Sequence, residues 1–210
     1  MKKILIRCLS FVLILAVLYL GYSTIRTLNG NPLSMPKAKK IANEYLNQAY
    51  PDNKLIISDG TYNIKFGNYY FDIKGSSDTN VNELVIQEGL KTIEDTNKTK
   101  ELNEKVKQYI TANSNLSFEK MEVNGTVFFT SDNFKRNDNI WIGLSGEDLT
   151  NEKIANFGKS IMNWSKENGL SLNRLTIDFT NLTFNESFRL TLEDNKLDEQ
   201  DIVNMIKKTE

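Results

Sequence analysis

Three spacings of apolar residues organise the chain. From Leu9 to Ile25 the residues are uncharged and almost wholly apolar, with no polar face. At a helical rise of about 1.5 Å per residue this run covers roughly 26 Å, close to the hydrocarbon thickness of a bilayer. It predicts a transmembrane anchor over 9–25, with Leu9, Phe11, Leu13, Leu15, Val17 and Leu20 facing lipid. Further on, Ala38, Ile41, Ala42, Tyr45, Leu46 and Ala49 recur at helical spacing between Pro36 and Pro51, which predicts a helix with one apolar stripe. Beyond it the period drops to two. Tyr62, Ile64 and Phe66 alternate with polar residues, Gly67-Asn68 supplies a turn, and Tyr69, Phe71 and Ile73 alternate again, the signature of a half-buried hairpin.

A third apolar run, Leu84-Val85-Ile86, completes a meander, so residues 36–90 read as a first α+β domain with its helix on one sheet face. This order is similar to cystatin-like and PepSY-like modules. Residues 91–115 are strongly charged, with Leu102, Val106, Tyr109 and Ile110 at helical spacing, and read as a connecting helix. In the rest, 116–210, Asn124-Gly125 predicts a hairpin between strands at 118–123 and 126–130. Ile140 to Leu144 reads as a buried strand, and Thr150 caps a helix through Ile154, Phe157 and Ile161 that Asn168-Gly169 ends. Strands follow at Leu172–Phe179 and Phe188–Leu192, then a helix capped by Asp198 and closed by Lys207 and Lys208. The expected fold class is therefore α+β: one amino-terminal transmembrane helix, then two small α+β domains. Residues 1–8 form a basic end and 26–35 a linker.

Composition narrows the function. The formal net charge is −1, whereas a nucleic-acid partner asks for a basic excess. Histidine is absent and Cys8 is the only cysteine. That removes the commonest general base at neutral pH, and any Cys/His zinc site or disulfide in the body. No catalytic, metal or cofactor residues are expected. Lys2, Lys3 and Arg7 precede the apolar run, so the positive-inside rule places the amino terminus in the cytoplasm and the body outside the cell membrane. Cleavage as a signal peptide is not expected, because the residues after the run are poor for it.

The helix ending at Tyr50-Pro51-Asp52, followed by Tyr62-Asn63-Ile64-Lys65 and Tyr69-Tyr70-Phe71-Asp72-Ile73, resembles the YfjL-like family of bacterial membrane-anchored proteins. The charged helix and the α+β carboxyl half also resemble its two-part layout. The resemblance implies a fold and a location; it carries over no site residue.

Candidate chemistry is sparse. Glu147 with Asp148, and Glu193 with Asp194 and Asp198, are acid pairs, but both sit where a turn and a helix start favour acids. Asp194-Asn195-Lys196-Leu197-Asp198 lacks the glycine and final glutamate of a calcium loop. Lys37, Lys39 and Lys40 open the first body helix and are candidates for lipid head-group contact. Tyr70 falls on the opposite sheet face from Tyr69 and Phe71, and is the candidate for a partner patch or for packing against the second domain. Trp141 and Trp164 read as core or interface residues. The expected function is a membrane-anchored, non-catalytic binding module of the cell envelope, with a membrane and an envelope protein or peptide as partners. An exposed sheet edge in the first domain would accept a peptide strand. The competing classes are a cell-surface hydrolase using carboxylates or Ser/Lys, and a structural subunit of an envelope complex.

Overall fold

A computed structural model describes residues 2–29, 32–52, 55–75, 82–193 and 199–209. Within them are five helices and ten strands, in two compact units, Met1–Ile93 and Glu94–Glu210.

The amino-terminal unit begins with α1 (Lys2–Asn29). The expectation of a transmembrane helix is overturned: among the described residues, no helix is long and apolar enough to cross a membrane. The Leu9 side chain lies outside the described residues. Phe11, Leu13, Leu15, Val17 and Leu20 are each at least half exposed. A 3-10 turn at Pro32–Ser34 leads directly into α2 (Met35–Ala49).

Pro36 occupies the first turn of α2, where its missing N–H has no helical partner to lose. Ala38, Ala42, Tyr45 and Leu46 form its buried face. Two alanines there let the helix approach the sheet closely. Under it lie β1 (Ile56–Ile57), β2 (Thr61–Asn63), β3 (Asn68–Lys74) and β4 (Asn82–Ile86). β1 and β2 both pair antiparallel with β3, β1 against Ile73 and Lys74 and β2 against Asn68 to Tyr70, so they amount to one strand interrupted at Ser58–Gly60. β4 takes the other side of β3. Tyr69, Phe71 and Ile73 are buried with Leu84, Ile86 and Ile57. A short β5 (Thr92–Asp95), not expected from sequence, follows a 3-10 turn that Gln87 closes by donating its N–H to the Thr92 carbonyl.

In the carboxyl-terminal unit the expected connecting helix is α3 (Thr96–Asn113). Its start is set by Asp95, fully buried, which accepts from the Asn97 and Lys98 amides at 2.9 and 3.1 Å. Next come β6 (Lys120–Thr130), β7 (Arg136–Gly146), α4 (Asn151–Glu167), β8 (Leu172–Asn181), β9 (Glu186–Leu192), α5 (Glu199–Asn204) and β10 (Lys207–Thr209). The strands lie side by side in chain order. β7 and β8 run parallel, joined through α4, and the other neighbours are antiparallel.

Two expectations fail here for tertiary reasons. Asn124-Gly125 is not a turn; β6 runs straight through it. The Gly125 amide donates to the Asn103 side chain of α3, as the Val127 amide does to Thr99 at 3.0 Å, so α3 supplies partners that hold the chain extended. Lys207 and Lys208 belong to β10, not to a helix end, and Asp198 lies outside the described residues. The core behind the sheet gathers Leu102, Val106, Ile110, Ile142, Ile154, Ile161, Ile177, Phe179 and Leu190, all buried. Trp164 stacks on Tyr109 at 4.8 Å between ring centres, joining α4 to α3.

The hydroxyl of Ser165, completely buried on α4, has no hydrogen-bond partner among the described residues. Ser165→Ala is expected to leave stability unchanged or raise it by about 1 kcal/mol, read as an unchanged or higher urea midpoint at constant slope.

One local device recurs in both units. Asn63 accepts the Lys65 and Phe66 amides at 3.0 and 3.3 Å, and Asn181 accepts the Thr183 and Phe184 amides at 3.0 and 3.3 Å. The next residue is left-handed in each case, Gly67 at φ 68° and Asn185 at φ 52°. Glycine and asparagine are the residues that tolerate it. Thus Asn-Ile-Lys-Phe-Gly and Asn-Leu-Thr-Phe-Asn build the same side-chain-closed hairpin loop, each presenting an exposed phenylalanine.

Candidate functional site

The open face of the carboxyl-terminal sheet carries a dense polar arrangement. Alternation along β6 to β9 sends Ile142, Leu144, Ile177, Phe179 and Leu190 to the core, and their sequence neighbours to the other face. Register then aligns those neighbours into rows. Glu122 lies opposite Gly143, Gly143 opposite Asp178, Asp178 opposite Arg189 and Arg189 opposite Lys207. The next row is Lys120, Ser145, Thr180, Ser187 and Thr209.

Gly143 creates the site. A Cβ at this position would meet the Trp141 ring at 2.7 Å, so the absence of a side chain lets the indole lean across the strand. Its Nε1–H then donates to Asp178 Oδ2 at 2.8 Å. Arg189 grips the same carboxylate with two donors, Nε to Oδ1 at 2.6 Å and Nη2 to Oδ2 at 2.8 Å. On the far side, Lys120 pairs with Glu122 at 2.7 Å. Between the two pairs lies a depression of about 400 Å³, to which Gly143, Ser145, Thr180, Ser187 and Thr209 also contribute. Thr180 and Ser187 exchange a hydroxyl hydrogen bond at 2.9 Å.

The pairing sets the charge states. The Arg189 hydrogen bond holds the Asp178 carboxyl below its usual range against an opposing effect of burial, with the Trp141 donor and the Arg189 charge adding to it. Lys120 likewise lowers Glu122. Both acids are therefore fixed anions at neutral pH, suited to hydrogen-bonding a ligand rather than passing protons. A second hollow, about 770 Å³, lies beyond Arg189 against Met205, Asn204 and Lys207.

The residues singled out from sequence fall elsewhere. Tyr70 is half-buried on the face of β3 away from Tyr69 and Phe71, in a shallow hollow with Thr61, Ile64 and Glu83. Burial, and then the charge of Asp72 opposite it on β3, raise the Glu83 carboxyl above its usual range. A raised acid contributes stability below its unfolded value, near 4.5, and loses it as pH climbs through the folded value. Glu83→Gln is thus expected to raise stability at pH 7 by a few tenths of a kcal/mol and to flatten the pH dependence just above the unfolded value. Melting curves from there to pH 7 check both.

Lys37 is exposed, Lys39 pairs with Asp59 at 2.8 Å, and Lys40 faces Glu44 at 3.7 Å on the same helix. Glu147 and Asp148 are exposed, with Asp148 paired to Lys153. Glu193 pairs with Arg174 at 2.8 Å. Asp194, Asp198 and the calcium-like run lie outside the described residues. The free edge of the first unit's sheet offers only two- and three-residue strands broken at Gly60, a poor template for an added strand.

The YfjL-like amino-terminal domain matches residues 1–97 and the YfjL-like carboxyl-terminal domain residues 94–207. The chain belongs to the YfjL-like family. No curated protein and no solved structure matches it. Apart from Thr209, the residues lining the depression of this YfjL-like chain fall within its carboxyl-terminal family domain. Asp178 and Arg189 were not anticipated. The readable signal was alternation: Asp178 stands between Ile177 and Phe179, and Arg189 between Phe188 and Leu190, so both mark the outward face.

Proposed function

We propose that the protein is a non-catalytic binding module associated with a membrane, and that the open face around Trp141, Asp178 and Arg189 takes its ligand. The observation that carries the reading is the preorganised depression. Its charges are already paired, the Trp141 indole beside it is held by a hydrogen bond to Asp178, and its floor is opened by Gly143. A site whose polar groups are held in place before the ligand arrives loses little freedom on binding.

Association with lipid is supported by α1. Phe11 to Leu15 and Val17 to Leu20 are exposed at consecutive positions, so apolar groups point in every direction around the helix and need an apolar cover. Full-length protein is expected to float with phospholipid vesicles, and a Leu13→Lys, Val17→Lys variant to stay in the dense fraction. Wild-type protein that remains dense beside the vesicles would overturn the lipid association.

For the ligand face, protein labelled with ¹⁵N-tryptophan gives one indole signal from each of two tryptophans. Adding cell-envelope extract is expected to move the Trp141 signal and leave Trp164, stacked on Tyr109, in place. A Trp141 signal indifferent to every fraction would dismiss the face as a ligand surface.

A further inference from the structure

Resting on that reading of the open face, we infer that the depression takes an uncharged, polyhydroxylated ligand, of the kind a short oligosaccharide presents. The first argument is charge. The cations and anions lining it cancel in pairs, Lys120 against Glu122 and Arg189 against Asp178. A phosphate or carboxylate ligand needs an unmatched cation and a metal ion an unmatched acid; an uncharged ligand needs neither.

The second argument is the hydroxyl content. Ser145, Thr180, Ser187 and Thr209 bring four hydroxyls to one hollow. Either Thr180 or Ser187 can be the donor in the bond between them, so that pair can reverse direction to suit a ligand. Hydroxyls that both donate and accept are best matched by a ligand whose own groups do the same. The two carboxylates add fixed acceptors, and the Arg189 guanidinium adds donors beyond those used on Asp178.

The third argument is shape. Trp141 is half-buried, and its ring leans over Gly143 at the border of the hollow, leaving part of an aromatic surface beside the polar groups. A pyranose ring has a C–H face and a hydroxyl rim, and that pairing of apolar surface with hydroxyls is what the border and the floor together offer. About 400 Å³ is within the range of small-molecule sites. A peptide strand is disfavoured by position. Strand addition uses a sheet edge, whereas this is a face, and the nearby edge strand β10 is three residues long and carries Lys207 and Lys208.

The test is a titration of full-length, ¹⁵N-tryptophan-labelled protein in phospholipid nanodiscs, which carry no sugar detergent. The probes are chitotriose and cellotriose, with inorganic phosphate and an acidic hexapeptide as separate arms. The expected result is a saturable shift of the Trp141 indole signal with an oligosaccharide, insensitive to salt. A Thr180→Val, Ser187→Ala variant, checked for folding by an unchanged Trp164 signal, should bind about tenfold more weakly. Saturation by phosphate or peptide but not by sugar would overturn the carbohydrate inference and leave the ligand-binding face standing. Equal sugar affinity in the variant would overturn it too, by placing the sugar elsewhere. No shift with any probe would overturn both.

Discussion

Asp138→Ala is expected to destabilise the carboxyl-terminal unit by about 3 kcal/mol. The carboxylate is completely buried. Arg136 Nε reaches its two oxygens at 2.8 and 3.0 Å, and the Ser171 amide reaches Oδ2 at 3.0 Å. The Asp138 amide in turn donates to the Ser171 carbonyl at 2.8 Å. These bonds tie the start of β7 to the residue that leads into β8, at the register shift between Asp138 and Asn139. Alanine would leave the Ser171 amide without its side-chain acceptor and Arg136 without its anion, and truncation of one partner costs far more than the pair is worth. Asp138→Asn, which keeps an acceptor but not the charge, should cost less. A urea midpoint lowered at constant slope checks the size. Because the same register sets Trp141 against Thr176 and Gly143 against Asp178, the Trp141 indole signal should shift in the alanine variant even where the protein stays folded.

Phe71→Ala is expected to cost the amino-terminal unit about 3–5 kcal/mol. Phe71 is completely buried on β3, opposite Leu84 and beneath the face of α2 that carries Ala38 and Ala42. Its ring also fills the space over Gly60, where an added Cβ would come within 2.4 Å of it. Truncation therefore opens a cavity that neither small alanine can reach to fill. Phe71→Leu should recover most of the loss, as volume-conserving changes do. Denaturant unfolding followed by backbone amide signals from β3 and β4 would report it directly. A Phe71→Ala loss below 1 kcal/mol would mean the unit collapses around the gap.

Much of the local structure was readable from spacing alone. The stripe of Ala38, Ala42, Tyr45 and Leu46, the alternation of Tyr69, Phe71 and Ile73, and the Thr150 cap of α4, which accepts the Lys153 amide, all follow rules that act within a few residues. The hairpin expected at Asn124-Gly125 shows where such rules stop. The dipeptide favours a turn, but Asn103 and Thr99, more than twenty residues earlier, bond the strand's amides and keep it extended. β5 carries no such local signal, being four residues with one buried apolar side chain, Ile93. The long apolar run of the amino end was legible as a helix, yet its expected role as a membrane span does not survive among the described residues.

By itself the sequence determined the class of chemistry withheld from the body: a chain with no histidine and one cysteine at its amino end brings no imidazole or thiol to any site there. It also determined which side of each strand turns to water, because a period of two is written residue by residue. Only the tertiary structure decided that Glu122, Gly143, Asp178 and Arg189 share one row. That row depends on the register of four strands and a parallel crossover through α4. Register is a property of paired backbones, set by core packing and by locks such as Asp138, and no single stretch of chain contains it.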